Sequence, residues 1–211
     1  MFIQRFVFTP ALGKGPEMRA LLTARAQSRQ AAGGDIALAR AAFPTPQGPQ
    51  FFLNLRFADL TALEAQSDRN ATDAGFGEFL AKVNSLAACN VTGGLAEVLT
   101  APLAGPAPRY TQRVVFHALP GRLPELRDLW MERVRERQAQ GARAGLSVSV
   151  GGEEGPELIQ IALFESLKDF ESARRTLIAD PVAQAFVQRT SALLMRPPSI
   201  QLSEVLVPFK P

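Results

Sequence analysis

A single cysteine, Cys89, and a single histidine, His117, set the first limits on this sequence. One cysteine cannot form an intrachain disulfide, so nothing favours an oxidising compartment. One histidine rules out a His-based metal cluster and bis-histidine haem ligation, leaving at most one axial ligand. No run of about 18 apolar residues, the length a membrane span needs, occurs in the chain. Gln4 and Arg5 interrupt the apolar start, which reads as a first strand and not as a signal peptide. Also missing are a Gly-x-Gly-x-x-Gly after a strand, a phosphate loop, a Gly-x-Ser-x-Gly elbow and any metal-ligand spacing. The expectation is a cytoplasmic protein with no membrane partner, no metal and no cofactor.

Charge of one sign is not concentrated either. The 23 Lys and Arg against 20 Asp and Glu leave a formal charge of +3. The basic residues are mostly arginines spread over predicted helices, without the focused stripe that phosphate contacts demand, so no nucleic acid is expected as a partner. With 46% apolar and 20% charged residues, the composition is that of a chain that folds unaided.

What the sequence does have is an internal repeat. Set Gln4 against Gln112, an offset of 112 − 4 = 108, and Arg5, Val7, Phe8, Gly13, Pro16, Glu17, Arg19, Leu21, Arg25, Arg29, Gln30, Ala31 and Gly33 all meet identical residues. Further on the register slips to 107, where Pro49, Phe57, Leu60, Glu64, Asp73, Phe79 and Leu86 find identical partners. The Glu97-Val-Leu99 triplet recurs at Glu204-Val-Leu206. A Pro/Gly-rich linker, residues 102–108, separates a first half, 1–101, from a second, 109–211.

Each half reads in one order. β-branched and aromatic runs at 2–8 and 112–117 are strands. Pro16-Glu17 and Pro124-Glu125 open helices, with proline in the first turn and an acid near the positive end. Met18, Leu21 and Leu22, like Leu126, Leu129, Trp130 and Val134, fall on one helical face. Gly33 and Gly141 stop these helices. Strands at 36–43 and 51–57, and at 145–150 and 158–164, follow, with Gly151-Gly-Glu-Glu-Gly155 as a turn. A helical region then begins near Asp59 or Lys168, broken in the second half by Asp180-Pro181, and a last strand closes each half. This βαββαβ order is the ferredoxin-like motif.

The strands carry apolar residues on both parities: Phe51, Leu53, Leu55 and Phe57 point one way, Phe52 the other with Asn54 and Arg56. Helices cover only one face of such a sheet, so the other is expected to meet the sheet of the other half. The fold class is therefore α+β: two tandem ferredoxin-like halves whose antiparallel sheets pack face to face as an intrachain pseudo-dimeric α+β barrel. With the second sheet on the same chain, a monomer suffices, and a homodimer is the alternative.

The second half, with His117-Ala-Leu-Pro-Gly-Arg-Leu-Pro-Glu-Leu-Arg-Asp-Leu-Trp130 and Ala179-Asp-Pro-Val-Ala-Gln-Ala-Phe186, resembles a NIPSNAP domain of the dimeric α+β barrel superfamily. The first half joins this resemblance through the repeat. The resemblance implies the barrel, and a superfamily spanning cofactor-free monooxygenases, haem-handling enzymes, isomerases and binding modules. One departure is that the first strand has Val114 and Phe116 where such a domain would carry further polar residues.

Six residues are candidates for a ligand site. His117, at a strand end, is either a ligand-contacting group or a polar residue that only hydrogen bonds; its counterpart is Thr9. Arg5 and Arg113 occupy matched strand positions, as do Glu97 and Glu204, and each Arg is expected to face the Glu of its own half. The alternative is that one pair anchors an acidic or carbonyl ligand. Asn54 is placed to orient a ligand oxygen. Trp130 reads as core and Tyr110 as a seal at the linker. Three functions are compatible with this: binding of a small apolar or aromatic molecule in the barrel interior, cofactor-independent oxygenation or isomerisation there, or an interaction module with a filled barrel.

Overall fold

The computed structural model describes residues 1–43, 45, 48–150 and 157–210. The turn expected at Gly151-Gly-Glu-Glu-Gly155 lies outside them. The chain forms two compact units, Met1–Leu95 with Ser203–Pro211, and Ala96–Leu202.

The elements of the first half are β1 (Phe2–Phe8), α1 (Gly15–Ala31), β2 (Ile36–Ala41), β3 (Phe51–Phe57), α2 (Leu60–Thr72), α3 (Ala74–Leu86) and β4 (Thr92–Thr100). Those of the second are β5 (Tyr110–His117), α4 (Leu123–Ala139), β6 (Ala144–Ser149), β7 (Glu157–Phe164), α5 (Leu167–Ala179), α6 (Pro181–Ser191) and β8 (Ser199–Val207). Glycine is required where the chain turns into and out of the first helix of each half: Gly13 and Gly121 have φ of 78° and 76°, Gly33 and Gly141 of 85° and 86°.

The second helical region is broken in both halves, whereas the sequence marks a break only at Asp180-Pro181. The shared cause is the aspartate, not the proline. Asp73 Oδ1 accepts from the Gly75 N–H at 2.9 Å, and Asp180 Oδ1 from the Val182 N–H at 2.9 Å.

In the first unit β3 pairs antiparallel with β1 and β2, Arg5 opposite Asn54 and Leu38 opposite Leu53. The C-terminal part of β8 then adds to β2, Glu204 opposite Arg40. In the second unit β7 pairs with β5 and β6, and the C-terminal part of β4 adds to β6, Glu97 opposite Val148. The last strand of each half of the sequence thus extends the sheet begun by the other half. Hydrogen-bonded neighbours run β1-β3-β2-β8-β5-β7-β6-β4 and close as in a barrel.

One face of each sheet packs on the first helix of its unit. Phe8, Ile36, Leu38, Phe51 and Leu53 meet Met18, Leu22 and Ala26 of α1. Val114, Phe116, Leu146 and Leu158 meet Leu126 and Val134 of α4. The residues of opposite parity are buried as well: Phe52 is 1% exposed, Val115 4% and Ile159 6%. Among the described residues no helix is long and apolar enough to cross a membrane.

A matched pair of glutamines ties the added strands in place. Gln30 Nε2 donates to the carbonyls of Ile36 and Pro208 at 2.8 and 2.7 Å, bridging β2 and the segment after β8. Gln138 Nε2 donates to Ala144 and Ala101 at 2.6 and 2.8 Å, doing the same for β6 and the segment after β4. Beside it, Gly145 admits the chain closely: a Cβ there would stand 2.7 Å from the Pro102 ring and 2.8 Å from the Thr100 carbonyl oxygen.

Two consequences are measurable by chemical denaturation. Gln138→Ala and Gln30→Ala should each destabilise the chain by about 1–2 kcal/mol, because each removes two hydrogen bonds that fasten separate segments. Gly145→Ala should cost about 1–3 kcal/mol, since backbone and a proline ring must yield. Unchanged midpoints would remove these contacts from the account.

Candidate functional site

Alternation along β5 divides its side chains between two faces. Val114 and Phe116 belong to the core on α4, which explains why they are apolar. Arg113, Val115 and His117 point to the other face, where the register sets them opposite Ile161, Ile159 and Glu157 of β7. An otherwise aliphatic strand face therefore ends in charge.

His117 is only 5% exposed. Its Nε2 lies 2.9 Å from Nη2 of Arg196, in the segment between α6 and β8, and its Nδ1 lies 3.7 Å from Glu157 Oε1. A guanidinium can only donate, so Nε2 accepts and the imidazole proton sits on Nδ1, toward the Glu157 carboxylate. The Arg196 contact thereby selects this tautomer, with Glu157 at ion-pair and not hydrogen-bond distance. Arg113, two strand pairs further in on this face, approaches the same carboxylate at 3.9 Å. Burial holds its pKa below the usual arginine value, and the Glu157 charge partly offsets this. Apart from that ion pair, the Arg113 guanidinium makes no hydrogen bond among the described residues, so its donors are available to a ligand oxygen.

The other candidates lie elsewhere. Arg5 stacks over the Phe52 ring, 4.1 Å from guanidinium carbon to centroid, on the face of the first sheet turned from α1. Asn54 stands opposite Arg5 on the same face, its Nδ2 donating to the Phe52 carbonyl at 3.5 Å. Glu204 is taken by Arg40 of β2 at 2.6 Å. Glu97 is exposed opposite Val148.

The expected pairing of Arg113 with Glu204 is corrected by parity. Arg40 alternates with Ala39 and shares the face of Ile36 and Leu38, so Glu204 lies on the helix-bearing face; Glu97, in step with Leu99 and Val148, does likewise. Arg5 and Arg113 point away from the helices.

Glu157 and Arg196 belong to the site and escaped the sequence reading. Glu157 follows a Gly- and Glu-rich stretch that reads as turn, one residue before the expected strand. Arg196 precedes Pro197-Pro198, in a stretch without periodicity. Trp130 stands apart as core: its ring lies 4.5 Å from Phe116 and 4.9 Å, edge-on, from Phe186. Its Nε1 is enclosed with no hydrogen-bond partner among the described residues, so at most a weak contact to a ring face compensates it.

Residues 112–210 match the model of the NIPSNAP family. No curated protein matches the chain in sequence. Among solved structures, a candidate monooxygenase from Fusobacterium nucleatum subsp. nucleatum superposes with a TM-score of 0.76 at 10% identity, covering 99% of this chain and 94% of that one. A candidate monooxygenase from Lactobacillus acidophilus gives 0.67 at 10% identity, covering 97% and 93%. An anthrone oxidase-like protein gives 0.63 at 18% identity, covering 97% and 91%. At such identities the likeness concerns the fold alone. The chain therefore shares the α+β barrel fold of these proteins, and its second half, residues 112–210, is a NIPSNAP domain.

Proposed function

We propose that this protein binds a small apolar or aromatic molecule bearing an oxygen function, held in the NIPSNAP domain at the His117 end of β5. The observation that carries the reading is the Arg113 guanidinium, largely buried beside an aliphatic strand face, with Glu157, at 3.9 Å, its one ion-pair partner among the described residues. Five donors facing one distant carboxylate favour a carbonyl, phenolate or carboxylate oxygen. Val115 and Ile159 supply apolar contact, and His117, fixed by Arg196 and Glu157, orients the polar end. Arg5 and Asn54 are taken as a second polar group on the matching face of the first unit. The reading treats residues 1–101 and 109–211 as copies of one unit, so that a monomer suffices, and places the protein in the cytoplasm, in keeping with its lone cysteine.

A second reading, cofactor-independent oxygenation or isomerisation of the bound molecule, is favoured by the His117–Glu157 pair. An imidazole whose Nδ1–H faces a carboxylate is oriented as a proton-handling group. Two solved structures of this fold are candidate monooxygenases and a third is anthrone oxidase-like.

Native mass spectrometry of the freshly purified protein, followed by denaturation, tests the binding reading. A retained small molecule should be lost from Arg113→Ala and His117→Ala, with affinity weakened about tenfold or more by the first substitution. Retention unchanged in both variants would move the site elsewhere. An oxygen electrode tests the oxygenase: consumption of dioxygen with an anthrone, abolished by His117→Ala, selects it over the binder, and no consumption counts against it.

A further inference from the structure

The second unit exposes large apolar side chains at a corner where the first does not. Leu177 and Ile178, in the last turn of α5, are 43% and 58% exposed, and Val182, in the first turn of α6, is 67% exposed. At the offset of 107 their counterparts in α2 and α3 are Asn70, Ala71 and Gly75. The first unit builds the same helix pair without them, so folding does not call for three aliphatic residues at this corner. Covering them with a second surface removes their apolar area from water.

Hydrogen bonds and an ion pair hold the corner in place. Asp180 Oδ1 accepts from the Val182 N–H at 2.9 Å, and Gln184 Nε2 donates to the Ile178 carbonyl at 2.6 Å. Arg133 of α4 pairs with Asp180 at 3.5 Å and with Glu136 at 3.1 Å, which sets the corner against α4. Val182 lies where two surfaces meet. One is the ridge of Leu177 and Ile178; the other is a groove between α4 and α6, floored by Leu129, Ala185 and Phe186 and rimmed by Glu132 and Arg189.

A ridge and a groove that meet at one residue suit a two-fold interface, because with the axis at Val182 the ridge of each copy faces the groove of the other. The charges agree with that arrangement. Arg174 precedes Ile178 by one helical turn, on the same face of α5, and Glu132 stands on the groove rim. Both are exposed, and neither makes an ion pair among the described residues. Their counterparts in the first unit are Ser67 and Ala24, so the two charges occur in the same unit as the apolar residues.

We infer that this corner is a self-association surface for a second copy of the chain. Two copies pair about a two-fold axis, with Leu177, Ile178 and Val182 of each seated on the groove between α4 and α6 of the other and Arg174 opposite Glu132 on both sides. The aliphatic residues supply the affinity, and the exposed charges fix the register. This face shares no residue with the His117 group.

Sedimentation velocity of the full chain over a concentration series tests it. A monomer–dimer equilibrium is expected. Ile178→Asp and Val182→Asp should each weaken it about tenfold or more with the thermal midpoint of the chain otherwise retained. Leu12→Asp, at a fully exposed leucine of the first unit, should leave it unaltered. Charge reversal distinguishes pairing between copies from a change within one. Glu132→Arg and Arg174→Glu each set like charges opposite one another and should weaken the dimer, whereas an equimolar mixture of the two variants should pair, since both contacts then join opposite charges. A chain that stays monomeric throughout, a dimer that none of these substitutions weakens, or a mixture of the charge-reversed variants that fails to pair would overturn the proposal. So would a monomer that sediments with phosphatidylcholine vesicles and loses this in Ile178→Asp, because the corner would then belong to a lipid surface.

Discussion

Strands that are apolar on both parities must be covered on both faces, and most of this protein's organisation follows from that constraint. One face of each sheet takes the first helix of its unit, through Met18 and Leu22 or Leu126 and Val134. On the other face the dominant residues are Phe52, Val115 and Ile159, and polar side chains must satisfy each other or a ligand. His117 Nε2 and Arg196 do so by mutual contact, while Glu157 stands at ion-pair distance from His117 Nδ1 and from Arg113. The helix-bearing face, nearer to solvent, holds its charge in an ordinary ion pair between Arg40 and Glu204.

The elements were legible where local chemistry dictates them. Pro16 and Pro124 start helices, Gly33 and Gly141 end them in the left-handed region, and Phe51–Phe57 falls where its alternation says. The break before α3 was missed because it lacks a proline, although Asp73 caps α3 just as Asp180 caps α6. The site was legible in part. His117 and Arg113 stand two strand pairs apart on one face, as their spacing requires, but their acid is Glu157. The pairing of Arg with the last-strand Glu was inferred from strand adjacency alone. Which face Glu204 takes depends on its register against β2, which slips beside Leu38, and no local pattern in the sequence reveals such a slip.

Matched positions carry structure where they are identical and distinguish the halves where they differ. Gln30 and Gln138 make the same two hydrogen bonds in their respective units. Thr9 against His117 and Leu22 against Trp130 separate a unit without an imidazole or indole from one with both. Ser28 against Glu136 and Arg69 against Thr176 shift the charge balance on the outer helices. Polar asymmetry of this kind is affordable to a fold whose stability rests on the apolar positions.

The central claim is that the second unit holds a fixed, oriented imidazole on a buried strand face. Because His117 is the only histidine, its ring nitrogens can be assigned without ambiguity in a 15N NMR spectrum of the intact protein at neutral pH. The account predicts a protonated Nδ1 and an unprotonated, hydrogen-bond-accepting Nε2, with the Nε2 resonance displaced in Arg196→Gln. A proton on Nε2, or averaged shifts typical of a freely exchanging imidazole, would contradict it.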